Sequence, residues 1–177
     1  MGIISKALDR AYWQRHVLRT DIGYRTEQGQ TFSGSDRWQM SAESVEWVQF
    51  QIPEGVHVRG YSRIVSTSGD PFNIDLVRAD SVTDGTTEFA HSCLNCVAGN
   101  LPEARVFRGA EDPVNPETLE YGFIPSARGP QSSGSTQIDG AYRVLNGAMS
   151  PTLLRIENTG NNSRTINLIL VWSEVSE

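Results

Sequence analysis

The amino-acid sequence predicts an all-β protein, an antiparallel β-sandwich or jelly roll preceded by a short N-terminal arm that is helical or extended. Apolar residues recur at every second position in several short segments, which is the period of a strand whose side chains alternate between two faces. Turn-forming residues separate these segments, and no helical pattern lies between them that would serve as the crossover of an α/β fold. We therefore predict an arm over residues 1–20 and one sandwich domain over residues 21–177, a size that suits a single core.

The arm shows a helical pattern, in which Ile4, Leu8 and Tyr12 recur at four-residue spacing and Trp13 lies beside them. Three interpretations stay open: a helix packed on the edge of the sandwich, an arm that inserts into a neighbouring subunit, or a disordered segment. Because exposed aromatic residues are unfavourable unless a partner covers them, we take these four residues as candidate partner contacts.

Residues 21–42 are polar and rich in Gly, Ser and Thr, which predicts a loop or a short edge strand. Trp38 lies in this stretch, so we expect it to be an exposed contact residue. The next three segments, residues 45–52, 56–67 and 72–76, alternate between apolar and polar residues and predict a three-strand meander with a bulge near Gly60.

Residues 109–140 form the least regular part of the sequence. The stretch holds four prolines and a run of Gln, Ser, Gly and Thr, so we predict a long loop of the kind that is functional or mobile. Tyr121 and Phe123 lie within it and are further candidate partner contacts.

The C-terminal stretch, residues 152–172, predicts a hairpin. Two alternating segments flank an Asn-Thr-Gly-Asn-Asn link that suits a tight reversal. In the second segment Leu168 and Trp172 belong to an apolar row, and Ile169 and Val171 make the opposite face apolar too. This indicates a central strand that is covered on both sides.

The sequence predicts no catalytic residue, no cofactor and no metal ion, and therefore a protein that is not an enzyme. A formal charge of −6 with a single lysine argues against a nucleic-acid partner, which would need clustered basic residues. Cys93 and Cys96, with His91 nearby, are most simply ordinary thiols, and a metal site, a redox pair or a local disulfide stay as alternatives. The carboxylates show no spacing that identifies an acid and base pair.

No apolar run is long enough for a signal peptide or a membrane span. We therefore expect a protein that is made and stays in a cytoplasm, or in a particle assembled there.

Three features together carry a family resemblance: the stretch Phe-Gln-Ile-Pro-Glu-Gly-Val-His-Val at residues 50–58, the long Pro/Gly/Ser loop, and Leu-Arg-Ile-Glu-Asn-Thr-Gly-Asn-Asn-Ser at residues 154–163. With the aromatic N-terminal arm, the chain resembles small β-sandwich structural proteins of tailed bacteriophage virions. The resemblance implies a non-enzymatic virion protein assembled in the host cytoplasm, either a capsid cement or decoration protein or a neck, tail or fibre-attachment component. It also implies a homo-oligomer whose partners are capsid or tail proteins.

A second hypothesis is a carbohydrate- or receptor-binding sandwich module of a tail fibre. It expects exposed Trp or Tyr side chains with polar neighbours, and Trp38 is its first candidate. A third hypothesis, an enzyme, requires a convergent polar pocket and is abandoned if no such pocket exists. All three hypotheses share one fold, so fold alone does not decide among them.

Overall fold

A computed structural model describes residues 31–67, 71–94, 101–124, 134–139, 144–147 and 149–176. Fifteen strands lie in this part of the chain. The strands are β1 (Thr31–Met40), β2 (Val45–Gln51), β3 (Val56–Thr67), β4 (Phe72–Arg78), β5 (Ser81–Thr83), β6 (Thr87–Glu88), β7 (Ala90–Cys93), β8 (Arg105–Arg108), β9 (Glu111–Val114), β10 (Glu117–Glu120), β11 (Phe123–Ile124), β12 (Gly134–Asp139), β13 (Val144–Asn146), β14 (Thr152–Asn158) and β15 (Arg164–Ser176). The prediction of an all-β protein is confirmed.

The strands form two large antiparallel sheets. The first has the order β12-β3-β15-β1-β7, with β13 also on β3, and the second has the order β10-β4-β14-β2-β8-β6, with β11 also on β4. The eight principal strands of the two sheets are β1, β3, β12 and β15 in the first, and β2, β4, β10 and β14 in the second. Along the chain each of these strands lies in the opposite sheet from the one before it, except that β10 follows β4 in the same sheet. The two resulting four-strand orders, β1-β15-β3-β12 and β2-β14-β4-β10, are those of a jelly roll.

Two pairings expected from the sequence are wrong. β2, β3 and β4 are not a meander, because β3 lies in the first sheet while β2 and β4 lie in the second. β14 and β15 are not a hairpin either, since they also belong to opposite sheets. Alternation shows that a strand buries one face, but it does not show which strand pairs with it, and an Asn/Gly-rich link serves an arch between sheets as well as a hairpin.

Two of the connections between the sheets, β1 to β2 and β14 to β15, are arches that are joined by hydrogen bonds of the fully buried Asn158. Its Nδ2 donates to the carbonyl oxygens of Ser41, at 2.8 Å, and of Asn162, at 2.9 Å, while its Oδ1 accepts from the backbone N–H of Gly160 at 3.1 Å. Ser41 lies between β1 and β2, and Asn162 lies between β14 and β15. One side chain therefore holds both connections at the same end of the sandwich.

The prediction of a central terminal strand is confirmed. β15 lies between β3 and β1, and Trp172 is fully buried against the rings of Phe32 and Phe50. The predicted bulge near Gly60 is also present, because Trp172 pairs with Gly60 while Val171 pairs with Ser62, which leaves one extra residue in β3. The opposite face of β15, at Ile169 and Val171, is half-buried rather than buried.

β1 corrects the expectation of a loop or short edge strand over residues 21–42. It is a ten-residue strand paired on both sides, with β15 and β7. The sequence of β1 does not show a regular alternation of apolar and polar residues, because two positions that face the core are not apolar. Gly34 stands where a Cβ would lie 3.2 Å from the Trp172 ring, and Asp36 is held by an ion pair instead of being apolar.

The prediction of one long loop over residues 109–140 is wrong for its described part, which holds β9, β10, β11 and β12. The strands are short, and proline is tolerated on edge strands such as these. β9 pairs with β5 to form a ribbon. Val82 of this ribbon, with the neighbouring Ala110, packs on Val77 and Leu153, so the ribbon region covers part of the outer face of the second sheet.

Candidate functional site

An aromatic pair stands out on the surface of the described residues. Tyr121 is 82% exposed and Phe123 is 59% exposed, and both lie beside β4 at one edge of the second sheet. The backbone of Gly122 between them is fixed, because its carbonyl accepts from the N–H of Ile74 at 2.8 Å and its N–H donates to Asp75 Oδ1 at 3.4 Å. We call Tyr121 and Phe123 the aromatic pair. These two sequence-predicted contact residues are therefore exposed on an ordered backbone.

A row of residues crosses the outer face beside Phe123. The strand register places Phe123, Asn73, Glu157 and Val45 next to each other on four neighbouring strands. Glu157 Oε2 accepts from Asn73 Nδ2 at 2.9 Å and from Arg155 Nη1 at 2.9 Å. The hydrogen bond from Arg155, and then that from Asn73, lower the pKa of Glu157 below its ordinary value. The lowered pKa favours the charged carboxylate. Asn73, Arg155 and Glu157 thus form a hydrogen-bonded polar strip beside Phe123.

Arg155 extends this strip toward the aromatic pair. Its Nη1 lies 3.5 Å from Asp75 Oδ2, and Asp75 is the side chain that accepts from the N–H of Gly122. The hydrogen bond to Glu157 is the main reason why the pKa of Arg155 is raised. Of the residue types gathered here, Tyr, Phe and Arg are those enriched in protein contacts.

Comparisons of the chain with protein-family models, with curated proteins and with solved structures gave no match. No helix in the described ranges is long and apolar enough to cross a membrane.

Trp38 does not belong to this surface, and the expectation that it is exposed is wrong. It is 8% exposed, its ring packs on Phe89, and the guanidinium of Arg108 lies 5.3 Å from the ring centroid. Arg108 Nε also lies 3.0 Å from Asp36 Oδ2. Trp38 is therefore a core residue, covered at the edge of the core by the ion pair of Arg108 and Asp36. The polar residues around it in the sequence wrongly indicated that it is exposed.

The His91 side chain is buried, and Cys93 belongs to the hydrophobic core. Nε2 of His91 accepts from the N–H of Val106 at 3.1 Å, and its ring contacts Trp172 edge to face. Burial lowers the pKa of His91, more than the neighbouring Glu88 raises it. Cys93 is buried, and Cys96 lies outside the described residues. Within the described ranges no group of three or more His, Cys, Asp or Glu side chains is placed to share a metal ion.

The carboxylates on the turns serve local structure. Asp80 Oδ2 accepts from Asn115 Nδ2 at 2.8 Å, and Asp84 Oδ1 accepts from Gln49 Nε2 at 2.9 Å. The remaining predicted contact residues, Ile4, Leu8, Tyr12 and Trp13, lie outside the described residues.

Sequence reasoning missed two polar residues that position loops. Buried Glu174 accepts from the N–H groups of Glu103, at 2.9 Å, and Ala104, at 3.0 Å, and from Trp172 Nε1 at 2.9 Å. Buried Gln49 binds the turn at Asp84. In the sequence, Glu174 and Gln49 cannot be told from polar residues on the exposed face of a strand. Most of their hydrogen-bond partners are distant in the sequence and come close only in the folded chain.

Proposed function

We propose that this protein is a non-enzymatic structural component of a tailed bacteriophage virion, of the capsid cement or decoration type or a neck, tail or fibre adaptor. It binds further copies of itself and other virion proteins such as capsid or tail components. The aromatic pair is the observation that supports a binding role. Two large aromatic side chains on a fixed backbone expose apolar surface whose burial favours association. The class of partner follows from the sequence resemblance.

The surroundings of the aromatic pair favour a protein partner. Arg155 and Glu157 form an ordered charged strip that could pair with polar groups at the rim of an interface. The individual contact need not be strong, because many copies on a symmetric lattice bind with avidity.

The experiment compares particle binding of the wild-type chain with that of a Tyr121→Ser/Phe123→Ser double variant. Light scattering gives the oligomeric state of the free chain, and co-sedimentation with tailed-phage capsids and tails that lack it gives the affinity. Because aromatic anchors at interface centres contribute about 2 kcal/mol or more each, the double variant should lose most of its binding.

Leu101→Ser is the matched control, since Leu101 is 65% exposed on a different segment. It should bind like the wild type. Equal binding by the double variant would contradict the role of the aromatic pair. Binding of glycans and not of particles at this pair would instead favour the carbohydrate-binding module.

A further inference from the structure

A cavity of about 450 Å³ opens at one end of the second sheet, away from the aromatic pair. Its volume lies in the range of small-molecule sites. Gln49 and Gln51 of β2 and Arg105 of β8 line one side, and Asp84, Met149 and Thr152 line the others. The wall thus combines amide, carboxylate and hydroxyl groups with apolar carbon.

The polar side of the cavity is ordered before any ligand binds. Gln49 is 5% exposed, and its Oε1 accepts from the N–H of Gly85 at 3.1 Å and from Gln51 Nε2 at 3.4 Å. Its Nε2 donates to Asp84 Oδ1 at 2.9 Å. These bonds use one polar atom each of Gln51 and Asp84, which leaves each side chain a second one for a ligand. Such preorganisation lowers the entropy that binding would cost.

The charges of the wall argue against an anionic ligand. Arg105 Nη1 is 2.6 Å from Glu88 Oε1, so its charge is balanced, and the carboxylates of Asp84 and Glu103 disfavour an anion. Within the described residues the wall also lacks a set of three acidic, His or Cys side chains for a metal ion. A ligand with many hydroxyl groups fits this wall, because its hydroxyl groups donate to the carboxylate and amide oxygens and accept from the amide NH2 groups.

The apolar side suits the same ligand class. Met149 is 47% exposed at the cavity, and Pro53 and Pro151 lie beside it. Gly147, near Met149 in the chain, lies so close to the residues that follow β2 that a Cβ there would overlap the carbonyl oxygens of Ile52 and Pro53. A sugar ring presents C–H groups on its faces and hydroxyl groups around its rim, so it can contact both sides at once.

We propose that this cavity binds a neutral saccharide, with Gln51 and Asp84 as hydrogen-bonding residues and Met149 as the apolar contact. The proposal goes beyond the virion-structural function and does not depend on it, because it uses none of the residues of the aromatic pair.

The test is an NMR titration of the full-length, isotope-labelled chain with glucose, galactose, mannose and N-acetylglucosamine in turn. We expect at least one sugar to cause saturable shifts at the backbone amides of Gln51, Asp84 and Met149. Gln51→Leu should weaken that binding about tenfold, as loss of one good hydrogen bond does. The matched control is Gln39→Leu, since Gln39 is an exposed glutamine on β1, and it should bind like the wild type.

Asp84→Asn serves as a second variant if Gln51→Leu does not fold, because the amide oxygen still accepts from Gln49, and it should also weaken binding. The proposal is overturned if none of the four sugars causes saturable shifts, if the shifts arise elsewhere, or if the folded variants bind as well as the wild type. Because no particle is involved, this outcome is independent of the particle-binding result.

Discussion

Asn158 is the residue at which the two arches meet, and its amide cannot be replaced by a carboxylate. In Asn158→Asp an oxygen replaces the NH2 group that donates to the carbonyl oxygens of Ser41 and Asn162. Both carbonyls then lose this donor, and the fully buried side chain carries a negative charge beside them, so we expect a loss of about 3 kcal/mol or more in the free energy of unfolding. Urea denaturation at neutral pH measures it.

Asn161→Asp is the control for this substitution, because Asn161 is exposed in the same arch. It should change the free energy of unfolding by less than about 0.5 kcal/mol. Equal stability of the two variants would show that Asn158 does not hold the arches together.

Glu157 and Glu46 should respond to acid in opposite directions. The pKa of Glu157 is lowered by Arg155 and Asn73, so its contribution to stability is present above the ordinary value of 4.5 and is lost as the pH falls through its lower folded pKa. Burial raises the pKa of Glu46 despite the nearby Arg108, so protonation of Glu46 favours the folded state as the pH falls.

Urea denaturation between pH 6 and about pH 3 tests this difference. Glu157→Gln should flatten the acid loss of stability relative to the wild type, and Glu46→Gln should steepen it. The same slope in both variants would contradict the assignment of these two carboxyl groups.

At the scale of elements, β15 is the strand on which the first sheet depends. Leu168 is fully buried in the core, whereas its neighbour Ile169 points to the opposite, half-buried face. Leu168→Asp would place an unpaired charge in the core at a cost of several kcal/mol, so it should abolish cooperative folding. Ile169→Asp should fold with a smaller loss of stability. Circular dichroism during thermal unfolding distinguishes them, and a cooperative Leu168→Asp variant would contradict the inward assignment.

How far an element could be predicted depended on whether its inward positions were uniformly apolar. β15 satisfies this with Leu168 and Trp172 in its inward row, and the apolar residues Ile169 and Val171 on its other face made its central position readable from the sequence. β1 does not, because Gly34 and Asp36 occupy inward positions for reasons that lie on other strands. The arrangement of strands was not readable at all, since alternation carries no information about the partner of a strand.

The candidate sites show the same limit. Tyr121 and Phe123 were identified because they lie in a segment that was predicted to be a long loop. The structure shows both exposed, although the described part of that segment holds short strands. Trp38 satisfied the same criterion and is buried, because Arg108 and Phe89 reach it from distant parts of the chain. The saccharide cavity gave no sequence signal, since Gln51, Asp84 and Met149 are brought together only by the fold.

At the scale of the whole molecule, the described sandwich has its own core and both sheets without the arm, residues 1–20. We therefore expect a chain lacking residues 1–20 to unfold cooperatively at nearly the urea midpoint of the full chain. If the arm is a second contact beside the aromatic pair, its removal should weaken particle binding by about 10²- to 10⁴-fold, because the avidity of two linked contacts is lost. Co-sedimentation of the truncated chain, the Tyr121→Ser/Phe123→Ser variant and their combination measures this loss. A truncated chain that keeps full oligomerisation and particle binding would exclude the arm as an assembly element, and one that fails to fold would make it part of the domain.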